Sequence, residues 1–320
     1  MNLASPALVL VLFATAGCSG AQDDAESSAS PSATFVAPPD MEVTELDTGP
    51  VGVAAVGGEA WSVLTEDGEV RMADDQRIAV GEAPLRLVDT PAGVWVSVIG
   101  EGRLVRIDPR SGKVDLRVRL RPAGSEPEGL AYDGQSVWVV DQAGDRVLPM
   151  DPRSGRFGPA VSVGIAPRLV SSGPSGVWVS NYDGGSVSRV RDGRVRTEDL
   201  AACASPQGLA EAGAVIWVAC TDEDRVLGLD AQTLAVVATF DGLDAADAVV
   251  ADGDTVFAVG QAGPTVWRID AGQRTVGKKV VLDEIGTTRE NVGAAVVAGH
   301  LVVTHPESRR IYALPLASLR

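Results

Sequence analysis

The sequence predicts an all-β protein, a seven-bladed β-propeller with four antiparallel strands per blade and a last blade closed by an N-terminal strand. The pentapeptide GVWVS occurs twice, at residues 93–97 and 176–180. Residues that align with its Trp recur at intervals of 34 to 45 residues, and a period near 40 is typical of propeller blades. The aligned residues are Trp61, Trp95, Trp138, Trp178, Trp217, Phe257 and Val302.

Each repeat contains a unit of constant length, which predicts three strands, here called a, b and c. An anchor residue, Pro in the first five repeats, lies eleven residues before the aligned position, and a Val, Leu or Ile lies nine residues after it. Short β-branched runs separated by turn residues favour strands over helices. The variable remainder supplies strand d, after turns such as DPRSG at 108–112 and 151–155.

The large residue on strand b is expected to fill the wedge between neighbouring blades, where one aromatic side chain buries roughly 150–250 Å². We therefore interpret the recurring tryptophans as core residues rather than as a stacking surface for bases or sugars.

The seventh repeat ends too early to form its own strand d, because only five residues follow Pro315. The segment MEVTEL, residues 41–46, precedes the first strand a. It is predicted to enter the last blade as the outer strand, which would close the ring and remove two open sheet edges.

The N-terminal segment predicts export. An apolar run of about ten residues, 7–16, is too short for a permanent transmembrane helix and suits a signal peptide. Small residues before Cys18 resemble a bacterial lipobox, which implies a signal peptide at 1–17 and a lipid on Cys18; an ordinary cleaved signal peptide is the alternative. Residues 18–40, rich in Ser, Ala, Pro and acid, are expected to be a disordered tether before a propeller at 41–320.

This organisation predicts an extracytoplasmic protein that is lipid-anchored to a bacterial cell membrane. The chain has a formal net charge of −16, which opposes contact with nucleic acid. No nucleic-acid partner is therefore expected.

The positions of the cysteines and histidines indicate whether the chain could form a disulfide or bind a metal. Cys203 lies in a d-to-a loop and Cys220 ends a strand b, so both lie on one face and a disulfide is predicted in an exported chain. Metal ligation is the weaker interpretation, and no metal site is predicted. His300 and His305 begin and end one strand b, so they lie on opposite faces and cannot form a joint site.

A ligand site is predicted at the mouth on the face that gathers the d-to-a and b-to-c loops. Two positions per blade are expected to reach it: the residue after the anchor and the residue three beyond the aligned Trp. Blades 1 and 2 supply Val and Leu there, and the later blades supply polar residues, which suits an amphipathic ligand. The polar arc could also merely meet water or form an ion-pair network. The candidate ligand-binding residues are Leu85, Glu128, Asp141, Arg168, Asn181, Gln207, Asp247 and His305.

The repeats, with GVWVS, RIDPRSGKV and a strand opening on Pro-x-x-Leu/Val, resemble bacterial seven-bladed families of the YVTN/YncE and streptogramin-lyase-like type over residues 41–320. Such repeats serve enzymes and binding proteins alike. Streptogramin lyases use a His-containing, Mg-dependent site across several blades, whereas this chain has two histidines, both in the last repeat.

We therefore expect a binding module without catalysis or cofactor, whose partner is a small molecule, a peptide or an envelope protein of unknown identity. The alternative is a divalent-metal-dependent lyase or lactonase. That enzyme would use Ca or Mg, and Glu128, Asp141 and Asp247 would have to converge on the ion.

Overall fold

The computed structural model describes residues 37–284 and 290–319, and the predicted signal peptide, Cys18 and most of the tether lie outside them. The described chain forms seven antiparallel sheets, as predicted. The a strands of neighbouring blades contact one another all the way around the ring, including the last with the first, so they surround the axis.

The first three blades follow a short leading strand, β1 (Glu42–Glu45). Blade 1 contains β2 (Pro50–Val56), β3 (Glu59–Leu64), β4 (Glu69–Arg71) and β5 (Arg77–Ala79). Blade 2 contains β6 (Pro84–Thr90), β7 (Gly93–Val98), β8 (Arg103–Asp108) and β9 (Lys113–Arg119). Blade 3 contains β10 (Pro127–Tyr132), β11 (Val137–Asp141), β12 (Arg146–Met150) and β13 (Val161–Ser162).

The other four blades repeat this order. Blade 4 contains β14 (Pro167–Gly173), β15 (Gly176–Asn181), β16 (Ser186–Arg191) and β17 (Arg194–Asp199). Blade 5 contains β18 (Pro206–Ala212), β19 (Val215–Cys220), β20 (Arg225–Asp230) and β21 (Val236–Asp241). Blade 6 contains β22 (Ala246–Asp252), β23 (Thr255–Gly260), β24 (Thr265–Asp270) and a strand d in two pieces, β25 (Thr275–Val276) and β26 (Val280–Val281). Blade 7 contains β27 (Gly293–Val297), β28 (His300–His305) and β29 (Arg310–Pro315).

Short 3-10 turns complete the secondary structure. They are Ile99–Glu101, Gln142–Gly144, Thr221–Glu223 and Leu316–Leu319. No helix within residues 37–284 and 290–319 has the length and apolarity needed to cross a membrane.

The N-terminal strand closes the ring as predicted. β1 pairs antiparallel with β29, with Glu42 opposite Ala313 and Glu45 opposite Arg310. The Arg310 guanidinium lies 2.7 Å from Glu45 Oε1, and the Leu46 N–H donates to Arg309 O at 2.8 Å. Blade 7 thus gains its fourth strand from the opposite end of the chain.

The tryptophans pack between blades, with one difference from expectation. Trp61, Trp95, Trp178 and Trp217 are fully buried. The Trp95 indole N–H donates to Pro152 O of the next blade at 3.1 Å, and that of Trp178 donates to Glu211 Oε2 at 2.9 Å.

Trp138 is only half-buried. Its N–H bonds Asp133 Oδ2 at 2.7 Å, within its own blade. It packs at the edge of a cluster of buried valines, so this wedge is closed mainly by the valines.

The Ser that ends GVWVS satisfies the backbone of a β-bulge. In blades 2 and 4 the register between strands a and b shifts after the anchor Pro, which leaves the backbone of the extra residues without ladder partners. Ser97 Oγ accepts from Arg86 N–H at 3.1 Å, and Ser180 Oγ accepts from Leu169 N–H at 3.2 Å. The repeated pentapeptide therefore combines a core Trp with a hydroxyl that serves the bulge.

The predicted disulfide is present. Cys203, in the loop between β17 and β18, is bonded to Cys220 at the end of β19, and their Cα atoms are 5.1 Å apart. Both residues lie on the same face of the disc, so the bond fastens the start of blade 5 to its own strand b.

Removing β1 should destabilise the propeller strongly. A chain that starts at residue 47 loses β1 and leaves the edge of β29 open, whereas a chain that starts at residue 37 keeps the pairing. We expect the first to melt at least about 5 °C lower, because in a domain of this size each kcal/mol corresponds to roughly 2–4 °C. Equal melting temperatures by circular dichroism would refute the closure.

Loss of the disulfide should lower the free energy of unfolding by about 3 kcal/mol, the chain-entropy value for a loop of this length. The sequence separation is 17 residues. Urea unfolding of Cys203→Ser/Cys220→Ser, begun at residue 37, measures this. Reductant should lower the free energy of unfolding of the parent chain by a similar amount and leave that of the double variant unchanged. If reductant destabilised both proteins equally, the loss of stability would not come from this disulfide.

Candidate ligand site at the propeller mouth

The loops around the mouth are fixed by arginines that begin strand c. Arg103 Nη2 donates to Val80 O at 3.2 Å, and Arg225 Nη1 donates to Ala202 O at 3.0 Å; Arg146 bonds the carbonyl of Arg121. Each acceptor lies after strand d of the preceding blade. The loop that enters each of these blades is therefore tied to the b-to-c loop beside it, which gives the mouth a rigid border.

Close approach of the a strands controls which side chains reach the axis. Glycine is the second residue after the anchor in blades 1, 3, 5 and 7, and a Cβ there would lie 2.3–2.6 Å from a carbonyl oxygen of the next blade. In blades 2, 4 and 6 the same position is Arg86, Leu169 and Ala248. Glycine thus alternates with side chains around the ring, and blades 7 and 1 are the one adjacent pair that both carry glycine.

The residue after the anchor is a buried polar residue in blades 3, 5 and 6. Glu128, Gln207 and Asp247 are 4%, 3% and 2% exposed. Among the described residues, Glu128 forms no hydrogen bond or ion pair through its carboxylate, while Asp247 Oδ2 accepts the Val292 N–H at 2.8 Å. Burying a carboxylate is costly unless it is paired, so Glu128 is an unusual residue for a structural core.

Two guanidinium groups share the axis with these acids. Burial raises the pKa of Glu128 to about 6, which Arg86 and Arg168 oppose and Asp247 reinforces. Burial likewise raises the pKa of Asp247 to about 6, against the lowering effects of Arg86, the Val292 N–H, Gln261 and Arg168. Since Glu128 and Asp247 come from blades 3 and 6, their mutual influence indicates that both turn toward the axis.

Arg168 links these acids to an open cavity of about 550 Å³. Val51 and Leu85 form an apolar wall of this mouth cavity, as the sequence pattern predicts for blades 1 and 2. The lining residues are Gly49, Val51, Thr65, Glu66, Leu85, Arg168, Glu290, Asn291, Pro306, Glu307 and Arg309. All except Arg168 come from blades 7, 1 and 2 and their loops, so Arg168 reaches across from blade 4.

The Arg168 guanidinium donates no hydrogen bond to any other residue within the described ranges. Its Cζ lies 3.9 Å from the ring centroid of Tyr182, a cation–π contact, and its buried Nε has no partner in residues 37–284 and 290–319. Cation–π contact fixes the plane of the group and leaves its donors available.

A narrower channel of about 160 Å³ follows the axis and is lined by strand-a residues of all seven blades. Arg86 is the charged residue among those lining residues, and its buried Nε also lacks a partner within the described chain. Sequence reasoning missed Arg86. The sequence signal was weak, because this position is glycine in blades 1, 3, 5 and 7 and varies in the other blades.

Two of the predicted mouth residues, Asp141 and Asn181, are hydrogen-bonded to neighbouring loops and strands. Asp141 accepts from Arg146 Nη2 at 2.7 Å and from Glu126 N–H at 2.9 Å. Asn181 accepts from Gly164 N–H at 3.1 Å and donates to Ser186 and Ser188, both at 3.0 Å. Their role in ligand binding stays a prediction.

The register explains where these side chains point. Asp141 pairs directly with Pro127, and Asn181 with Pro167, and directly paired residues share one side of a sheet. Glu128 and Arg168 follow those prolines and turn the other way, toward the axis.

Both histidines also make local contacts. His305 is buried, with Nε2 3.1 Å from Gln261 O and Nδ1 accepting from Ser308 N–H at 3.3 Å. His300 lies at the other end of the same strand, with Nδ1 3.2 Å from Ala298 O. For His305, a role in ligand binding also stays a prediction.

The arrangement provides weak support for a metal centre. Cys203, Cys220 and Glu223 place ligand-type atoms within 4.8 Å of one another, but the cysteines are joined in the disulfide and offer no thiolate. Glu128 and Asp247 share the axis with two guanidinium groups, and Asp141 is engaged by Arg146 instead of joining them. Positive charge beside the two acids disfavours a divalent cation.

Comparison with known proteins bears on the fold. No family model and no curated protein matches the sequence. A streptogramin B lyase structure is similar, with a TM-score of 0.71 and 16% identity, covering 85% of this chain and 96% of that one. The hydrazine synthase of Kuenenia stuttgartiensis is also similar, with a TM-score of 0.66 and 13% identity, covering 85% of this chain and 97% of that one. At these identities the likeness bears on the fold alone, which in this chain is the seven-bladed propeller described above.

The raised pKa values of Glu128 and Asp247 predict a pH-dependent stability. Both lie at about 6 in the folded protein, above ordinary values of 4.5 and 3.8. The folded state therefore holds these protons more tightly, and stability is lost as pH rises from about 4 to 6. Glu128→Gln and Asp247→Asn should each raise the free energy of unfolding at pH 7 by about 2 kcal/mol and change it little at pH 3.5.

Urea unfolding between pH 3.5 and 7 measures this difference. Asp108→Asn provides a control of opposite sign, because hydrogen bonds from Arg110 N–H and Ser111 lower the pKa of Asp108. That variant should lose stability at pH 7 relative to the parent chain. A difference between the parent chain and the Glu128 and Asp247 variants that stays constant with pH would contradict the assignment.

Proposed function

We propose that this chain is an extracytoplasmic binding module that holds a small ligand in the mouth cavity without catalysing a reaction. The observation that carries the proposal is the Arg168 guanidinium, stacked on Tyr182 and without a hydrogen-bond partner in the described chain, in a cavity with an apolar wall. A concave, partly apolar space with a few converging polar groups is the usual form of a small-molecule site, and its volume lies within the roughly 300–1,000 Å³ typical of such sites.

The buried ring at the axis supports the same proposal. Arg86, Glu128 and Asp247 approach the axis without ion pairs within 4.0 Å among residues 37–284 and 290–319. A structural network would be expected to pair these groups directly, because unpaired buried charges are expensive. Charged groups that are not paired with one another are available to a polar ligand or to its water.

Export and anchoring belong to this proposal as well. The apolar run before Cys18 and the acidic Ser/Pro-rich segment after it support a lipoprotein held at a bacterial membrane by Cys18. The repeat pattern supports a relation to YVTN/YncE-type propellers. The disulfide between Cys203 and Cys220 agrees with an oxidising compartment.

The alternative is a divalent-metal-dependent lyase or lactonase. The likeness to a streptogramin B lyase structure favours it at the level of fold. The two guanidinium groups beside Glu128 and Asp247 favour binding without a metal. Ca²⁺ or Mg²⁺ that raised the melting temperature, reversed by chelator, would support the enzyme instead.

Filling the mouth cavity should abolish ligand binding. Thermal shift against a panel of hydrophobic dipeptides, aliphatic acids, amines and sugars is expected to reveal compounds that stabilise the parent chain. Leu85→Trp, which fills the apolar wall, should remove those shifts. Ile165→Trp is the matched control, because Ile165 is 62% exposed on the same face and outside the cavity lining.

Leu85→Trp must first show the far-ultraviolet spectrum of the parent chain. Shifts that persist in a folded Leu85→Trp variant would overturn the proposed site. A panel without any Leu85-dependent shift would overturn the proposed function.

A further inference from the structure

We infer that the mouth cavity selects a zwitterion with an apolar middle, such as a short hydrophobic peptide, whose carboxylate binds Arg168 and whose ammonium group lies at the acidic rim. The inference rests on the proposed function and names the chemical class of its ligand. It follows from the order of charges and apolar groups around the cavity.

Arg168 is prepared for a carboxylate. Its guanidinium lies over Tyr182, so much of the entropy of this long side chain is already lost before a ligand arrives. A guanidinium presents a planar fork of donors that matches a carboxylate in a bidentate contact. Arg168 lines the mouth cavity, and no other described residue accepts a hydrogen bond from its guanidinium, so a ligand carboxylate there has donors to bind.

Charge balance at the axis argues for a neutral ligand. Arg86 and Arg168 offset Glu128 and Asp247, so the four groups together carry no net charge when all are ionised. A simple anion at Arg168 would add an uncompensated negative charge beside two buried carboxylates. A zwitterion brings its own compensating cation.

The rim supplies the place for that cation. Glu66, Glu290 and Glu307 line the mouth cavity, with Arg309 as the rim residue of opposite sign. An ammonium group near these carboxylates is favoured by their excess charge, while the anionic end of the ligand is drawn away from them toward Arg168.

The apolar wall lies between the two polar ends. Val51, Leu85 and Pro306 line the same cavity as Arg168 and the rim acids. Aliphatic side chains of a bound peptide would cover this wall, and burial of each such group favours binding in proportion to its area. A sugar or a plain amine would leave either the wall or Arg168 unused.

Isothermal titration of the purified chain with the dipeptide Leu-Leu tests the inference. We expect binding of Leu-Leu, and a weakening of roughly ten- to hundredfold when its amino group is acetylated or its carboxylate is amidated. Arg168→Met should lower the affinity for Leu-Leu by a similar factor. It should change the affinity for the amidated dipeptide little, because that dipeptide has no carboxylate to bind the guanidinium. Arg168→Lys, which keeps the charge and loses the fork, should be intermediate.

Arg194→Met is the matched control. Arg194 is exposed on the outer hairpin of blade 4, outside the mouth cavity, and this variant should bind Leu-Leu like the parent chain. Melting curves of every variant verify the fold.

The outcomes separate this inference from the proposed function. If acetylated and amidated Leu-Leu bind as well as the free dipeptide, or if folded Arg168→Met binds Leu-Leu undiminished, the ligand class is wrong, and Leu85-dependent binding still upholds the site. If Leu-Leu and the other hydrophobic dipeptides fail while an acid, an amine or a sugar binds in a Leu85-dependent way, the ligand class is again wrong. If no compound binds in a Leu85-dependent way, the proposed function falls with it.

Discussion

Close packing of seven a strands around one axis is the constraint on which the structure depends. Where strand a of one blade approaches the next, a Cβ would lie within 2.3–2.6 Å of a carbonyl oxygen, so glycine is required at Gly52, Gly129, Gly208 and Gly293. A bulge after the anchor costs ladder hydrogen bonds in blades 1–6, and a hydroxyl group of strand b replaces one of them in blades 2 and 4. The same bulge turns the next residues toward the axis. Tight packing and the polar ring of the candidate site therefore have a common origin.

Much of the fold could be predicted because it repeats. The aligned Trp positions, the constant unit from strand a to strand c and the missing last strand predicted the seven blades and the pairing of β1 with β29. The disulfide could be predicted because Cys203 and Cys220 lie at loops on the same face of the disc. Packing that varies between blades was not predictable, since nothing in the local pattern around Trp138 distinguishes it from the fully buried tryptophans.

The candidate site could be predicted only in part. The repeat pattern shows where a residue lies along its strand, but it does not show which residues its side chain contacts. Leu85 and Arg168 line the mouth cavity, and Glu128, Gln207 and Asp247 are buried as members of the position that turns toward the axis. Asp141 and Asn181 belong to the position that pairs with the anchor, and neighbouring loops use their hydrogen-bonding capacity. Arg86 was missed because it replaces a glycine, and a substitution at a packing position gives no indication of charge at the axis.

The alternation of glycine and side chain around the axis has a consequence that comes from parity. An odd ring cannot alternate without a fault, and here the fault falls between blades 7 and 1, where Gly293 and Gly52 are neighbours in the sequence of blades. Beside that seam β1 pairs with β29 in blade 7, and Gly49, Val51 and Asn291 line the mouth cavity. The odd number of blades thus requires one such fault, and the residues of blades 7 and 1 place it at this seam. A ring with an even number of such repeats could alternate without a fault.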